Sequence, residues 1–297
     1  MSDFSTGDLQ ILDNAFDPDG TGEYGLAVVL GEDHIECAIL DMKRNKFLGL
    51  HRFFRKDPEP GNPESFLQPD YGAFLEIFRD ELPWLRNSFR LIRIAYAGKN
   101  STLVPSMLFD PEDKERYARF NFPVTDGDVI LCNHLIPADA WQVFTVPGDI
   151  VRTVREAFPE SRIVHASGLF LESVWVNYRE RISQPHLFLH LRRRHFDLMA
   201  FDGHKVAYLN TFSHRVPDDV IYYLIFVMEQ LELDPETIPV VLSGNAGMDA
   251  ELTDLLKKYI RHCEYGSRNE AYSYSHLFSQ VPSHAFFPLL NFFSCGL

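Results

Sequence analysis

Apolar and polar positions along this chain fall into a layout that occurs twice. Near Gly25–Ala97, and again near Leu187–Ser243, three short apolar runs joined by tight turns lead into a helix-period segment and then a fourth run. In the first copy Leu26–Leu30 meets Gly31-Glu32-Asp33-His34 before Ile35–Leu40, and a third run follows over 47–54. In the second, Leu187–Leu191 meets Arg192-Arg193-Arg194-His195 before Phe196–Phe201, and the third run ends at Thr211. A repeated unit of this kind predicts two related domains facing a cleft. The turns between the first three runs are too short for helical crossovers, so these strands must form antiparallel hairpins. The fourth run follows a helix and can lie parallel to a neighbour.

Between and around the repeats the pattern is plainer. Residues 1–23 are polar and acidic and read as an irregular lead-in. Asp17–Glu23 has some of the carboxylates of a calcium loop, yet lacks the spaced third ligand and flanking helices, and reads as a turn. Four prolines make 57–69 a loop. Asp70 then caps a helix whose Tyr71, Phe74, Leu75 and Phe78 share one face. Residues 98–146 read as an insertion with a charged helix near Pro111–Arg119 and a hairpin of Val129–Leu135 with Trp141–Val146. A helix opening at Asp149, a strand over Arg162–His165 and a helix over Leu169–Tyr178 complete a first domain, 24–180; the second is 181–297, divided near Arg181. In that domain Pro217, Asp218 and Asp219 start a helix that contains nine consecutive apolar residues, Val220–Met228. Such a helix is expected to be buried on most sides, between a sheet and a neighbouring domain.

Composition narrows the function classes. With 28 Lys+Arg against 42 Asp+Glu the net charge is −14, a field that repels phosphate backbones and argues against general nucleic-acid binding. Cys37, Cys132, Cys263 and Cys295 form no C-x-x-C pair and read as reduced thiols, with no zinc site. Met1–Phe4 has neither the basic start nor the apolar run of a signal peptide, and no uncharged stretch is long enough to span a bilayer. These features predict a cytoplasmic protein.

The order strand-strand-strand-helix-strand-helix, twice, resembles the actin-like ATPase fold shared by actin, sugar kinases, Hsp70 chaperones and the bacterial cell-division and pilus-assembly proteins. Asn210-Thr211-Phe212 through Tyr222-Tyr223 to Leu242-Ser243-Gly244 also resembles an uncharacterised bacterial family assigned to that fold. The resemblance implies an α/β protein of two ribonuclease-H-like domains, each a mixed β-sheet flanked by helices. It also exposes what is missing. Working members place Asp-x-Gly-[Ser/Thr] after the first strand; the matching positions here are Val29, Leu30, Gly31 and Glu32, so only the glycine survives, and Glu32 and Asp33 set negative charge against phosphate. Their second loop, Asp-x-Gly-Gly-Gly, aligns with His190, Leu191, Arg192, Arg193 and Arg194, where arginine Cβ atoms bar the close backbone approach that glycine permits. Asp197 matches a common aspartate of the second strand. The adenosine-side glycine pair corresponds to Gly244 and Gly247, which read either as nucleotide contact or as a strand-to-helix turn needing permissive backbone.

The densest basic cluster, His190, Arg192, Arg193, Arg194 and His195, is therefore a candidate anion or partner site, the alternative being a solvated hairpin tip. No Gly-x-Ser-x-Gly, His-Glu-x-x-His or Gly-x-x-x-x-Gly-Lys-[Ser/Thr] motif occurs. The Phe-rich tail reads first as intramolecular packing, with self-association through Phe286, Phe287, Phe292 and Phe293 as the next use. The resulting expectation is a non-catalytic actin-like scaffold or interaction module with an unknown protein partner and no cofactor or metal. A protein that binds nucleotide with little hydrolysis comes second, and a divergent phosphotransferase third.

Overall fold

In the computed structural model, which describes residues 9–54, 71–246 and 250–297, the first repeat is a hairpin meander of β2 (Tyr24–Gly31), β3 (His34–Asp41) and β4 (Lys46–Phe54), after a short N-terminal strand β1 (Leu9–Leu12). Strands β5 (Leu91–Ala97) and β9 (Ile163–His165) extend it in the order β1-β4-β3-β2-β5-β9. The meander is antiparallel, while β5 and β9 run parallel to β2 and β5. Side chains alternate between two cores, as a pleated strand requires. Leu26, Val28, Leu30, Ile35, Cys37 and Ile94 meet α1 (Tyr71–Glu81) and α3 (Gly148–Ala157). The opposite face is built from small residues, Ala27, Ala38, Ala95 and Ala97, which let a helix layer approach closely.

The second repeat gives β10 (His186–Leu191), β11 (His195–Asp202), β12 (Lys205–Ser213), β13 (Pro239–Gly244) and β14 (His262–Tyr265), ordered β12-β11-β10-β13-β14. Its pairing repeats the first sheet: two antiparallel contacts, then two parallel ones. Leu187, Leu189 and Leu191 face α5 (Pro217–Gln230) and α6 (Ala250–Tyr259), whereas Phe188 and His190 face the other way, as the two-residue period predicts. Between the two repeats lies a separate three-stranded sheet, β6 (Ser101–Pro105), β8 (Ala140–Pro147) and β7 (Asp128–Leu135), with α2 (Lys114–Asn121) against it.

Three expectations need correction. The lead-in is not irregular throughout: Leu9–Leu12 is a strand paired with Gly49–Arg52, with Ile11 buried against the sheet. Asp13 anchors its end, accepting from Ala15 N–H and pairing with Lys46 at 3.2 Å. Asp17 serves as the cap of a 3-10 turn over Pro18–Glu23. Second, the helix enclosed between the two sheets is α4 (Ala166–Tyr178), with ten of its 13 residues buried, and not α5. Helix α5 buries Val220, Ile221, Leu224, Val227 and Met228 but leaves Tyr222 64% and Phe226 45% exposed. Third, self-association through the tail gives way to its first reading, packing within the chain: the tail crosses back to the first sheet. Strand β15 (Ser273–Tyr274) pairs with Lys46–Phe47, and α7 (Phe287–Asn291) follows on the alanine-rich face. Phe293 covers Gly25, where a Cβ would come within 2.7 Å of the ring, so this strand position needs glycine. Phe286, Phe287 and Phe292 are buried and Phe293 is half-buried, so these rings are spent inside the chain and do not offer a self-association surface. The loop over 57–69, the Asp70 cap and Gly247 lie outside the described residues.

Candidate functional site at the interlobe cleft

The turns that close β2–β3 and β10–β11 face each other across a cleft of about 530 Å³, counting the part open to solvent. Its walls include His34, Glu36, Arg52, Phe54, Arg192, Arg193 and Asn245, with Phe286 at its base. Nearly every polar group there is held by another residue of the chain.

In the first turn Gly31 is kept for a packing reason: a Cβ there would overlap the His34 ring. That ring takes up the space above the glycine, and Asp33 binds it at 2.8 Å. Burial alone would raise the Asp33 carboxyl, but the His34 hydrogen bond and the charges of His34, Arg193 and Arg194 outweigh it and hold Asp33 below the usual carboxylate range. Arg193 and Arg194 reach Asp33 across the cleft at 3.8 and 3.9 Å, beyond hydrogen-bond reach. Glu32 is exposed at the same rim.

In the second turn the three arginines take different roles. Arg192 points inward with a side chain only 10% exposed, against the expectation of a solvated tip. It donates to Asp197 at 2.9 Å and to the Ala97 carbonyl of the opposite lobe at 3.0 Å. Asp197 is fully buried and also accepts from Thr211 Oγ1 at 2.6 Å, so the matching aspartate is a structural anchor. The turn is pinned by Arg192 N–H to His195 O and by the His214 ring at Arg192 O. Arg193 and Arg194 stay at the rim, with side chains 36% and 49% exposed.

His190, His195 and His165 do not add positive charge at neutral pH. His190 is buried with Nδ1 3.0 Å from Ser243 Oγ, and burial, then Arg192 and Arg52, pushes it well below its ordinary value. Burial and Arg192 likewise push His195 down to about 4. Under the cleft, His165 is held at about 3 by burial and Arg192, within a network of Gln142 and Ser167. Gly244 adopts φ +74°, a left-handed conformation, and a Cβ would run into the Leu191 carbonyl oxygen. Its role as a turn glycine is accounted for by the backbone alone.

Arg52, Glu36 and Asn245, which no sequence motif marks, complete the cleft wall. Arg52 bonds Glu36 at 2.7 Å and Asn245 at 3.3 Å, and its guanidinium lies 4.0 Å over the Phe286 ring. Glu36 and Arg52 are direct cross-strand partners. Opposite charges breaking two apolar strands of one hairpin were the available signal. Phe286 itself holds a left-handed backbone, φ +57°, uncommon for a bulky residue. Among the described residues no group of three His, Cys, Asp or Glu is arranged to hold a metal ion, and no helix is long and apolar enough to cross a membrane.

Comparison with known proteins agrees with this geometry. A family described as "Protein of unknown function (DUF3822)" matches residues 13–263. No curated protein matches. Among solved structures, a Bacteroides thetaiotaomicron protein of actin-like ATPase fold and unknown function is similar at 22% identity and a TM-score of 0.73, covering 85% of this chain and 94% of its own. A PilM–PilN type IV pilus biogenesis complex contains a chain similar at 15% identity and a TM-score of 0.58, covering 90% and 96%. The fold is therefore actin-like, with two mixed sheets flanked by helices.

Proposed function

This chain belongs to the DUF3822 family of proteins of unknown function and has the actin-like ATPase fold, and from that premise we propose that it is a non-catalytic actin-like protein, a cytoplasmic scaffold or protein-interaction module. The observation that carries this reading is that the phosphate side of the cleft is filled from within. The His34 ring sits over Gly31, and Arg192 spans from Asp197 to the Ala97 carbonyl. Neither Val29 nor His190 can supply a carboxylate to organise magnesium at the two turns, and in-line phosphoryl transfer depends on that positioned charge. The division near Arg181, with 98–146 as an insert, belongs to the same proposal. So does partner or anion contact through the cleft rim, which reduces to Arg193 and Arg194 because His190 and Arg192 are bonded internally and burial beside Arg192 keeps His195 uncharged. The similar pilus biogenesis protein is known in a complex with a protein, which supports a role of this fold through protein contact.

A steady-state assay with magnesium and ATP is expected to stay at background, and a nucleotide panel is expected to leave the melting temperature unchanged. Turnover that disappears when a cleft residue is replaced refutes the proposal. A melting shift without turnover favours the second reading, nucleotide binding without hydrolysis, for which the free space beside Arg52, Arg193 and Asn245 is the supporting feature.

A further inference from the structure

We propose that the outward stripe of α5 is the docking face for a basic amphipathic helix of a partner protein. The proposal rests on the interaction reading above and names the surface and the chemistry of what it takes. Residues at i, i+4, i+8 and i+11 of a helix share one stripe, and on α5 these are Asp218, Tyr222, Phe226 and Glu229, all exposed. The stripe therefore reads acid, aromatic, aromatic, acid over about 16 Å. Half-buried Tyr223 and Ile225 widen its apolar middle.

The aromatic rings are already arranged. Tyr222 stacks on Phe226 at 6.3 Å and 15°, Tyr223 on Phe212 at 4.4 Å and 23°, and Tyr222 meets Tyr223 edge-on at 5.2 Å. Rings fixed before binding lose little freedom on binding. Solvent gives no reason for this face: a surface helix ordinarily turns polar residues outward. Glu229 is equally unexplained by the helix itself. It sits in the last turn, where the backbone dipole is negative and no basic residue is present, so its charge is unfavourable there. Among the described residues neither Asp218 nor Glu229 forms an ion pair.

Charge selects the occupant. In a pair of identical chains, antiparallel stripes would set Asp218 against Glu229 and parallel ones Asp218 against Asp218, and each chain carries −14. Like charges across a rim slow and weaken association. An anionic lipid surface is repelled by the same carboxylates. A helix with apolar anchors at i and i+3 or i+4, flanked by Lys or Arg about three turns apart, meets every part of the stripe.

The test places photoreactive p-benzoylphenylalanine at Phe226 in the full chain, in the cells that make it, with a parallel probe at Arg194 on the cleft rim. The expected result is capture at Phe226 of one segment with that basic amphipathic pattern. A synthetic peptide of the captured segment should then bind the purified protein. Y222S/F226S and D218K/E229K should each weaken that binding by at least about tenfold while leaving the circular dichroism and melting temperature unchanged, and charge reversal should also flatten the salt dependence. Capture of a second copy, of lipid or of nothing at Phe226 overturns the proposal, as does peptide binding indifferent to both variants. Capture at Arg194 alone overturns the α5 face and leaves the interaction reading standing. ATP turnover by the unaltered chain overturns that reading and leaves the α5 face to be judged by its own capture result.

Discussion

Replacing Arg192 by methionine tests the claim that the phosphate side of the cleft has become structure. The substitution keeps a long unbranched side chain and removes the guanidinium. Asp197, fully buried, then retains only the Thr211 hydroxyl, and the Ala97 carbonyl of the other lobe loses a donor. Breaking a buried ion pair by removing one partner costs about 3–5 kcal/mol, because the remaining charge stays out of water. Against a total stability of about 5–15 kcal/mol that is a large fraction. Adding D197N to R192M removes the stranded charge, so the double variant should recover about half of the loss or more. Urea titrations of the parent, both single variants and the double variant give the coupling directly, read as midpoint shifts at constant slope. Hydrogen exchange should rise in Gly31–His34, the turn facing Arg192, in the single variant. An R192M protein within about 1 kcal/mol of the parent refutes the reasoning, since an arginine kept for an external anion is exposed and contributes little to stability.

Three further outcomes follow from the same geometry. G244A should cost about 2 kcal/mol or more in a urea titration, because φ +74° and the Leu191 carbonyl both exclude a Cβ; an unchanged midpoint refutes this. The Asp13 carboxyl is held down at about 2 by hydrogen bonds from Ala15 and Ser275 and by Lys46, against partial burial. A lowered native value contributes stability above the unfolded value near 4 that is lost as the pH falls through 2, so D13N should cost about 2 kcal/mol at pH 7 and progressively less below pH 4. Stability curves of parent and variant that stay parallel across that window refute it. R193S/R194S should change the unfolding free energy by under about 1 kcal/mol, since both side chains lie at the rim, and a larger loss would make the rim structural.

How much of this was legible depended on the range of the signal. The hairpins over Tyr24–Phe54 and His186–Ser213 follow from local alternation and short turns, and their register needs nothing from elsewhere. Strand β15 has two residues and pairs with β4 across more than two hundred positions, so it left no periodic trace. Nine consecutive apolar residues predict burial of α5 on most sides but say nothing about which neighbours are present, whereas α4, broken by Ser167, Gly168, Glu172 and Ser173, is the helix that is enclosed. In the cleft, the missing aspartates were visible residue by residue, but the filling of the space by His34 and Arg192 was not. Ring orientation and a contact from one lobe to a carbonyl of the other are tertiary facts.

The return of the tail to the first sheet has a consequence for how the chain is made. Strand β4 is bordered by Ser273–Tyr274, and the ring on Gly25 belongs to Phe293. A ribosome releases the N-terminal lobe long before those residues exist, so the part of its alanine-rich face that α7 covers, over β2 and β3, and part of the β4 edge must wait uncovered while the second lobe is translated. Folding of this kind is governed by the closing of a very long loop and is intrinsically slow. The exposed interval is a window in which a nascent-chain chaperone can bind, and the N-terminal lobe expressed without the tail should be aggregation-prone, because its own strands leave that face open.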